Sequence, residues 1–191
     1  MLSKKFGHAF DQPLRKIAKK IPFSPNVLSV AGFVITLFAC YRLSFDFLTG
    51  GIFILVGALF DVMDGVVART QKKMTRFGAF LDSVLDRYSD AFILLAIAYN
   101  LKNESNTVGI VLCLGTLVGA FLISYTRARA EGIGEECKNG LMERPERIIL
   151  ISLGAITGLI IPVLWILVVL THFTVLQRIH HVWNAAGNKE K

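Results

Sequence analysis

The sequence predicts an all-α integral membrane protein, with six transmembrane helices preceded by an N-terminal amphipathic helix on the membrane surface. Three observations carry this. The 191 residues are 53% hydrophobic and have a mean hydropathy of +0.55, which is more apolar than ordinary soluble domains. Several runs approach the roughly 20 apolar residues that cross a bilayer core. The basic residues behind the net charge of +7 fall between those runs rather than on one soluble face. That placement favours anionic lipid headgroups and phosphorylated substrates as partners and argues against nucleic acid.

Residues 1–24 form the first unit, an amphipathic juxtamembrane helix and linker. Leu2, Phe6, Phe10, Leu14, Ile17 and Ile21 recur at helical spacing among Lys4, Lys5, Arg15, Lys16, Lys19 and Lys20. This is the pattern of an interfacial helix, with Pro13 as a candidate interruption. The segment lacks the short apolar core and small-residue site of a cleavable signal. "PFSPN" (22–26) then breaks the chain. Residues 25–182 form the transmembrane domain, with spans at about 27–46, 50–70, 77–101, 107–128, 146–161 and 162–181, and residues 183–191 form a cytoplasmic tail.

The last two spans rest on thin signals. Residues 148–177 are apolar throughout, and only Gly158 and Pro162 mark a turn. One long tilted helix is the alternative, and it would move the C-terminus to the other side. Charge arbitrates. With six spans, one side collects the N-terminal basic residues, then Arg69, Lys72, Lys73 and Arg76, then Arg127, Arg129, Lys138, Arg144 and Arg147, then Arg178, Lys189 and Lys191. The other side holds Arg42 and Lys102. The positive-inside rule therefore places both termini and the long polar loops in the cytoplasm of a cell membrane. Cys40, Cys113 and Cys137 have no metal or redox spacing and read as packing residues. His180 and His181 read as an interfacial edge.

The stretch "DVMDGVVARTQKKMTRFGAFLDSVLD" (61–86) puts four carboxylates into apolar segments. One aspartate near a helix end can simply snorkel to the interface; four together cannot be dismissed that way. Asp61 and Asp64 are three apart, Asp82 and Asp86 four apart, so each pair shares a helix face. The short connection makes the two helices antiparallel neighbours, and all four groups converge near the cytoplasmic side. Unpaired, they would repel one another, and a divalent cation is the natural remedy. An oxygen-only set points to Mg²⁺, Mn²⁺ or Ca²⁺ rather than zinc, with two ions to match four carboxylates. Gly65 and Gly78 each lie about a turn from an aspartate, where a missing side chain lets a bulky ligand approach. Arg69, a turn beyond Gly65, is placed to meet phosphate oxygens. Metals, a cationic arm and a cytoplasmic cleft suit displacement at a phosphoryl centre.

These residues resemble the signature of the CDP-alcohol phosphotransferase family: Asp61-x2-Asp64-Gly65-x2-Ala68-Arg69-x8-Gly78-x3-Asp82-x3-Asp86. All eight positions match, and the layout of surface helix and six spans is similar as well. The resemblance implies transfer of a phosphatidyl-type group from a CDP-linked lipid to an alcohol, with release of CMP. It implies that Asp61, Asp64 and Asp82 hold Mg²⁺ or Mn²⁺, two ions in all. Asp86 would share in metal binding and act as general base on the acceptor hydroxyl, and Gly65, Ala68, Arg69 and Gly78 would line the CDP-lipid site. It also implies a homodimer. Asp90 continues the four-residue rhythm outside the signature and reads as a partner for Arg87 or a packing contact.

The acceptor is read from "SYTRARAEGIGEECKNGLMERPERIIL" (124–150). Positive-inside anchoring accounts for Lys138 and Arg144. It accounts less well for Arg127 and Arg129 at the end of one apolar span and Arg147 at the start of the next. Three guanidiniums near one depth make an anion site suited to bidentate phosphate binding. "ARAE" and "ERPER" resemble the branch of the family that makes phosphatidylinositol phosphate and archaetidylinositol phosphate, where they flank the inositol-phosphate pocket. The first basic position, often Lys in that branch, is Arg127 here. Glycerol 3-phosphate is the alternative acceptor. The donor's chains, diacylglycerol or archaeol, are not legible. A divalent-cation transporter is the rival from another class. It is disfavoured because spans four to six carry no acidic residue in their apolar stretches, so the carboxylates open to one side only.

Overall fold

A computed structural model of the chain describes residues 15–137 and 139–187. Among the described residues all regular structure is helical: a turn of helix at residues 15–18, then α1 (Pro25–Leu43), α2 (Phe47–Thr70), α3 (Arg76–Asn103), α4 (Thr107–Gly132), α5 (Arg144–Thr157) and α6 (Ile160–Gly187). Most of the expected surface helix, residues 1–14, lies outside the described residues, as do Lys138 and residues 188–191 of the expected tail.

The helix ends follow local chemistry. Asp46 accepts hydrogen bonds from the amides of Leu48 and Thr49 and so caps α2. That cap stops α1 at Leu43, three residues before its expected end. Thr75 and Asn106 cap α3 and α4 through bonds of 2.9 Å from the amides of Gly78 and Gly109. Pro25 and Pro145 sit in the first turns of α1 and α5, where no amide hydrogen is needed. Gly158 takes φ +73° at the end of α5, a left-handed conformation that glycine adopts without penalty. The apolar run 148–177 is therefore two helices rather than one, and α6 continues past the expected span end at 181 to Gly187.

Each helix packs on two neighbours in a closed ring ordered α1, α2, α5, α6, α4, α3. Directions follow from which residues meet. Ser29 bonds Asp64 and Leu43 crowds Gly50, so α1 and α2 are antiparallel. Asn26 approaches Gly78, and Asn100 donates to the Leu43 carbonyl at 2.8 Å, so α3 runs with α1. Arg144 bonds Asp61 and Gly51 packs on Ser152 and Ala155, so α5 opposes α2. Gly109 meets Ile161 and Arg178 bonds the Ile123 carbonyl, so α6 runs with α4. Consecutive helices alternate in direction, and the end of α6 returns to the end of the bundle that holds the aspartates.

Four helices (α1, α2, α4 and α6) are long and apolar enough to cross a membrane by length and composition. α3 is long but interrupted by its charged residues. α5 has 14 residues, about 21 Å at 1.5 Å per residue. The core is threaded by Leu43, Ile54, Ile93, Ile97, Leu101, Leu164 and Leu167, each at most 1% exposed. Val30, Val34, Phe38, Val111, Leu114 and Val169 face outward, the arrangement of a multi-pass membrane protein whose lateral surface meets lipid.

Candidate active site

Close packing of α1 on α2 builds the first half of the site. A Cβ on Gly57 would lie 2.6 Å from Thr36 Oγ1, which leaves it no room, and one on Gly32 would lie 3.1 Å from Phe60 Cβ, a tight contact. That approach brings Ser29, one turn into α1, onto Asp64, to which its hydroxyl donates. Asp64 is 6% exposed. Carboxylate oxygens of Asp61, Asp64 and Asp82 all lie within 4.8 Å of one another, three of the four expected to converge.

Asp86, a turn further along α3, lies outside that triangle and faces Arg144 of α5. Arg144 Nη1 is 2.8 Å from Asp86 Oδ1 and also bonds Asp61, and its Nε faces Asp90 Oδ1 at 3.7 Å. Arg87 approaches the other Asp86 oxygen at 3.3 Å and donates to the Ser83 carbonyl at 2.7 Å. Although Asp86 Oδ1 is buried and close to Arg144, no aligned donor satisfies it.

The residues fit a divalent cation. Three carboxylates with neither His nor Cys form a hard-cation donor set. They crowd three carboxylates within 4.8 Å, more negative charge than the one guanidinium on Asp61 offsets, and Asp86 Oδ1, without an aligned donor among the described residues, adds a fourth acceptor at the edge.

Two hollows meet at this cluster. A cleft of about 200 Å³ between the starts of α1 and α3 and the end of α2 is lined by Asp64, Gly65, Ala68, Arg69, Gly78 and Asp82. All four positions expected at the CDP site are therefore there. A Cβ on Gly78 would stand 2.8 Å from Asn26 Oδ1, and one on Gly65 3.3 Å from Arg69 Nη1. A larger hollow of about 970 Å³ between α3 and α4 is lined by Asp82, Asp86, Arg87, Ser124, Tyr125 and Arg127. Asp82 is common to both.

The expected arginine trio is only partly assembled. Arg127 is exposed and ion-paired with Glu131 at 3.0 Å. Arg129 is exposed too, and two residues along a helix is about 200° of rotation, so it leaves by another face. Arg147 is 3% exposed, with Nη2 on Asp90 and Nη1 3.4 Å from the Met142 carbonyl. Asp90 therefore pairs with Arg147 and Arg144; of the two expectations for it, a partnership with Arg87 or a packing contact, it is the buried packing contact that the structure brings together.

Several residues escaped the sequence reading. Arg144, taken there as a topology signal, sits half-buried among the aspartates. Arg178, counted there among the cytoplasmic-side charges, is 2% exposed, donates to the Asn139 carbonyl at 2.9 Å and to Ile123 O, and lies within electrostatic reach of Glu143, Arg127 and Arg147. Asn26 and Ser29, three apart, share a face of α1, and Arg144 and Arg147 do the same behind a helix-starting Pro145. Those spacings were the available signal.

The model of the CDP-alcohol phosphatidyltransferases matches residues 23–183. The chain belongs to that family. As a CDP-alcohol phosphatidyltransferase it is an enzyme, and its relatives narrow the branch. It is 37% identical to the archaetidylinositol phosphate synthase of Pyrococcus horikoshii over 177 residues, 88% of this chain and 90% of that one. It superposes on the phosphatidylinositol phosphate synthase of Mycobacterium tuberculosis solved with CDP-DAG, with a TM-score of 0.81 and 28% identity over 92% of this chain and 94% of that one. The same enzyme solved with manganese and citrate matches at TM-score 0.81 and 28% identity, over 91% of this chain and 89% of that one.

Proposed function

We propose that this phosphatidyltransferase moves a phosphatidyl-type group from a CDP-linked lipid to inositol phosphate and releases CMP. The observation that carries the reading is that Asp82 walls both hollows. A donor in the small cleft and an acceptor in the large one would meet at the carboxylates. Likeness to synthases of archaetidylinositol phosphate and phosphatidylinositol phosphate supports the acceptor.

The donor's cytidine and pyrophosphate occupy the cleft under Gly65, Ala68 and Gly78, with Arg69 against phosphate oxygens. The acceptor's phosphate docks on Arg127 at the large hollow, joined by Arg147 and Arg178, while Arg129, on another face of α4, adds only to the basic surface. Its hydroxyl then faces Asp86. Asp86 takes the hydroxyl proton, the oxygen attacks the lipid-bearing phosphorus, the pyrophosphate P–O bond breaks, and CMP leaves with the bond's electrons. Asp61, Asp64 and Asp82, with Asp86 contributing, would hold one or two Mg²⁺ or Mn²⁺ ions. Bound there, such ions neutralise the pyrophosphate and the leaving CMP. Ser29 holds Asp64, and Arg144 holds Asp61 and Asp86, in the orientation this requires.

The alternation of six helices supports six membrane crossings, with the aspartate end, both termini and the basic loops in the cytoplasm of the cell membrane. Residues 25–182 are then the catalytic domain, residues 1–24 the surface helix and linker, and the enzyme works as a homodimer among membrane lipids. Purified protein with CDP-lipid and Mg²⁺, offered inositol phosphate, glycerol 3-phosphate, inositol and serine, tests the proposal through CMP release. Inositol phosphate should react fastest, and unphosphorylated inositol poorly. Equal rates with inositol or serine would reject the phosphate-docking role of the arginines.

A further inference from the structure

We infer that Asp90 is a positioning residue that sets the acceptor site by fixing the guanidinium of Arg147. The inference rests on the proposed phosphate-docking role of Arg147 and deepens it. Asp90 belongs to neither the metal triangle nor the walls of the two hollows, yet it is 7% exposed at the centre of the ring. Its two oxygens face two arginines from adjacent turns of α5: Oδ2 takes the Arg147 Nη2 hydrogen, and Oδ1 stands 3.7 Å from Arg144 Nε.

Arg144 and Arg147 have opposite tasks. Arg144 reaches Asp61 and Asp86, where reaction occurs, and Arg147, like Arg127, lies within electrostatic reach of Arg178. A carboxylate between them keeps each in its own direction. Without it, Arg147 has the Met142 carbonyl as its remaining described hydrogen-bond partner, at 3.4 Å. A long side chain held at one point loses its aim, because a guanidinium binds phosphate well only when its planar fork is pre-oriented. Asp90 also ties the α3 helix, which carries Asp82 and Asp86, to the α5 helix, which carries the phosphate-docking arginine. The separation of the Arg147 guanidinium from Asp86 is thereby set by the Asp90–Arg147 pair together with the Arg144 contacts.

Steady-state kinetics on full-length protein in detergent, with CDP-lipid and inositol phosphate each varied, test this. Asp90→Glu keeps the charge and the fold but moves it by one methylene. Asp90→Asn removes it, and Arg147→Gln removes the partner. Asp90→Glu and Asp90→Asn should each raise the acceptor KM about tenfold or more while leaving the donor KM within about twofold. In the Arg147→Gln background, Asp90→Asn should add less than about twofold, because the two act as one unit. A purely structural role would lower thermal stability and kcat without that split. A wild-type acceptor KM in Asp90→Glu, or full additivity in the double variant, would overturn the inference. An unchanged acceptor KM in Arg147→Gln itself would instead reject the docking role on which it rests.

Discussion

Replacing Arg144 by Ala tests whether the charged network at the start of α5 holds the bundle together. Arg144 reaches three carboxylates on two other helices, with side-chain exposures of 20% for Arg144, 16% for Asp86 and 8% for Asp90. Breaking one buried ion pair costs about 3–5 kcal/mol, because the partner charge stays buried. Asp61 is 32% exposed, so water recovers part of its share and the lower figure of about 3 kcal/mol applies. For a chain of this size that is a fall in Tm of about 6–12 °C. Arg127→Ala is the control. Its pair with Glu131 is 46% and 52% exposed, worth less than about 1 kcal/mol. The assay is thermal unfolding in detergent, in chelator and again in Mg²⁺. In chelator Arg144→Ala should melt well below Arg127→Ala. Mg²⁺ should raise its Tm more than it raises the parent's, because divalent charge then binds carboxylates that have lost their counter-ion. Equal melting of the two variants in chelator would refute the argument that Arg144 is a structural counter-charge.

Chelation should abolish CMP release and Mg²⁺ or Mn²⁺ should restore it, and Asp64→Asn and Asp82→Asn should lose activity by orders of magnitude while folding normally. Full activity in excess chelator would sink the metal assignment. Cysteines introduced into a Cys-free background at Lys73 and Lys189 should react with impermeant reagents from the cytoplasmic side, and one at Asn103 from the other. Labelling of position 189 from outside would refute the six crossings. Gly158→Ala forces a side chain into a left-handed backbone at a cost of about 1–2 kcal/mol. It should lower Tm by about 2–8 °C with both KM values unchanged, and an unaltered Tm would mean that the α5–α6 turn relaxes into another conformation.

The membrane class and the aspartate cluster were legible because both are local. Spans announce themselves by length and hydropathy, and spacings of three and four residues on two short-linked helices leave Asp61, Asp64, Asp82 and Asp86 few places to go. The gathering of Gly65, Ala68, Arg69 and Gly78 at one cleft followed too, since they lie in the same two helices. The partnerships of the arginines depend on where α5 and α6 pack, many residues away in sequence, and charge counting treats every basic residue near a membrane surface alike. Hence Arg144 read as an anchor when it is a counter-ion to three aspartates, Arg178 read as one more cytoplasmic-side charge when it is buried, and Asp90 read as a partner for Arg87 or a packing contact when it pairs with Arg147. The turn that reverses α6 was marked in the sequence by Gly158, whose left-handed backbone ends α5. Periodicity within a helix is written in the chain. Which buried charge faces which is set by packing, because burying each of these groups is favourable only beside the partner that tertiary structure supplies.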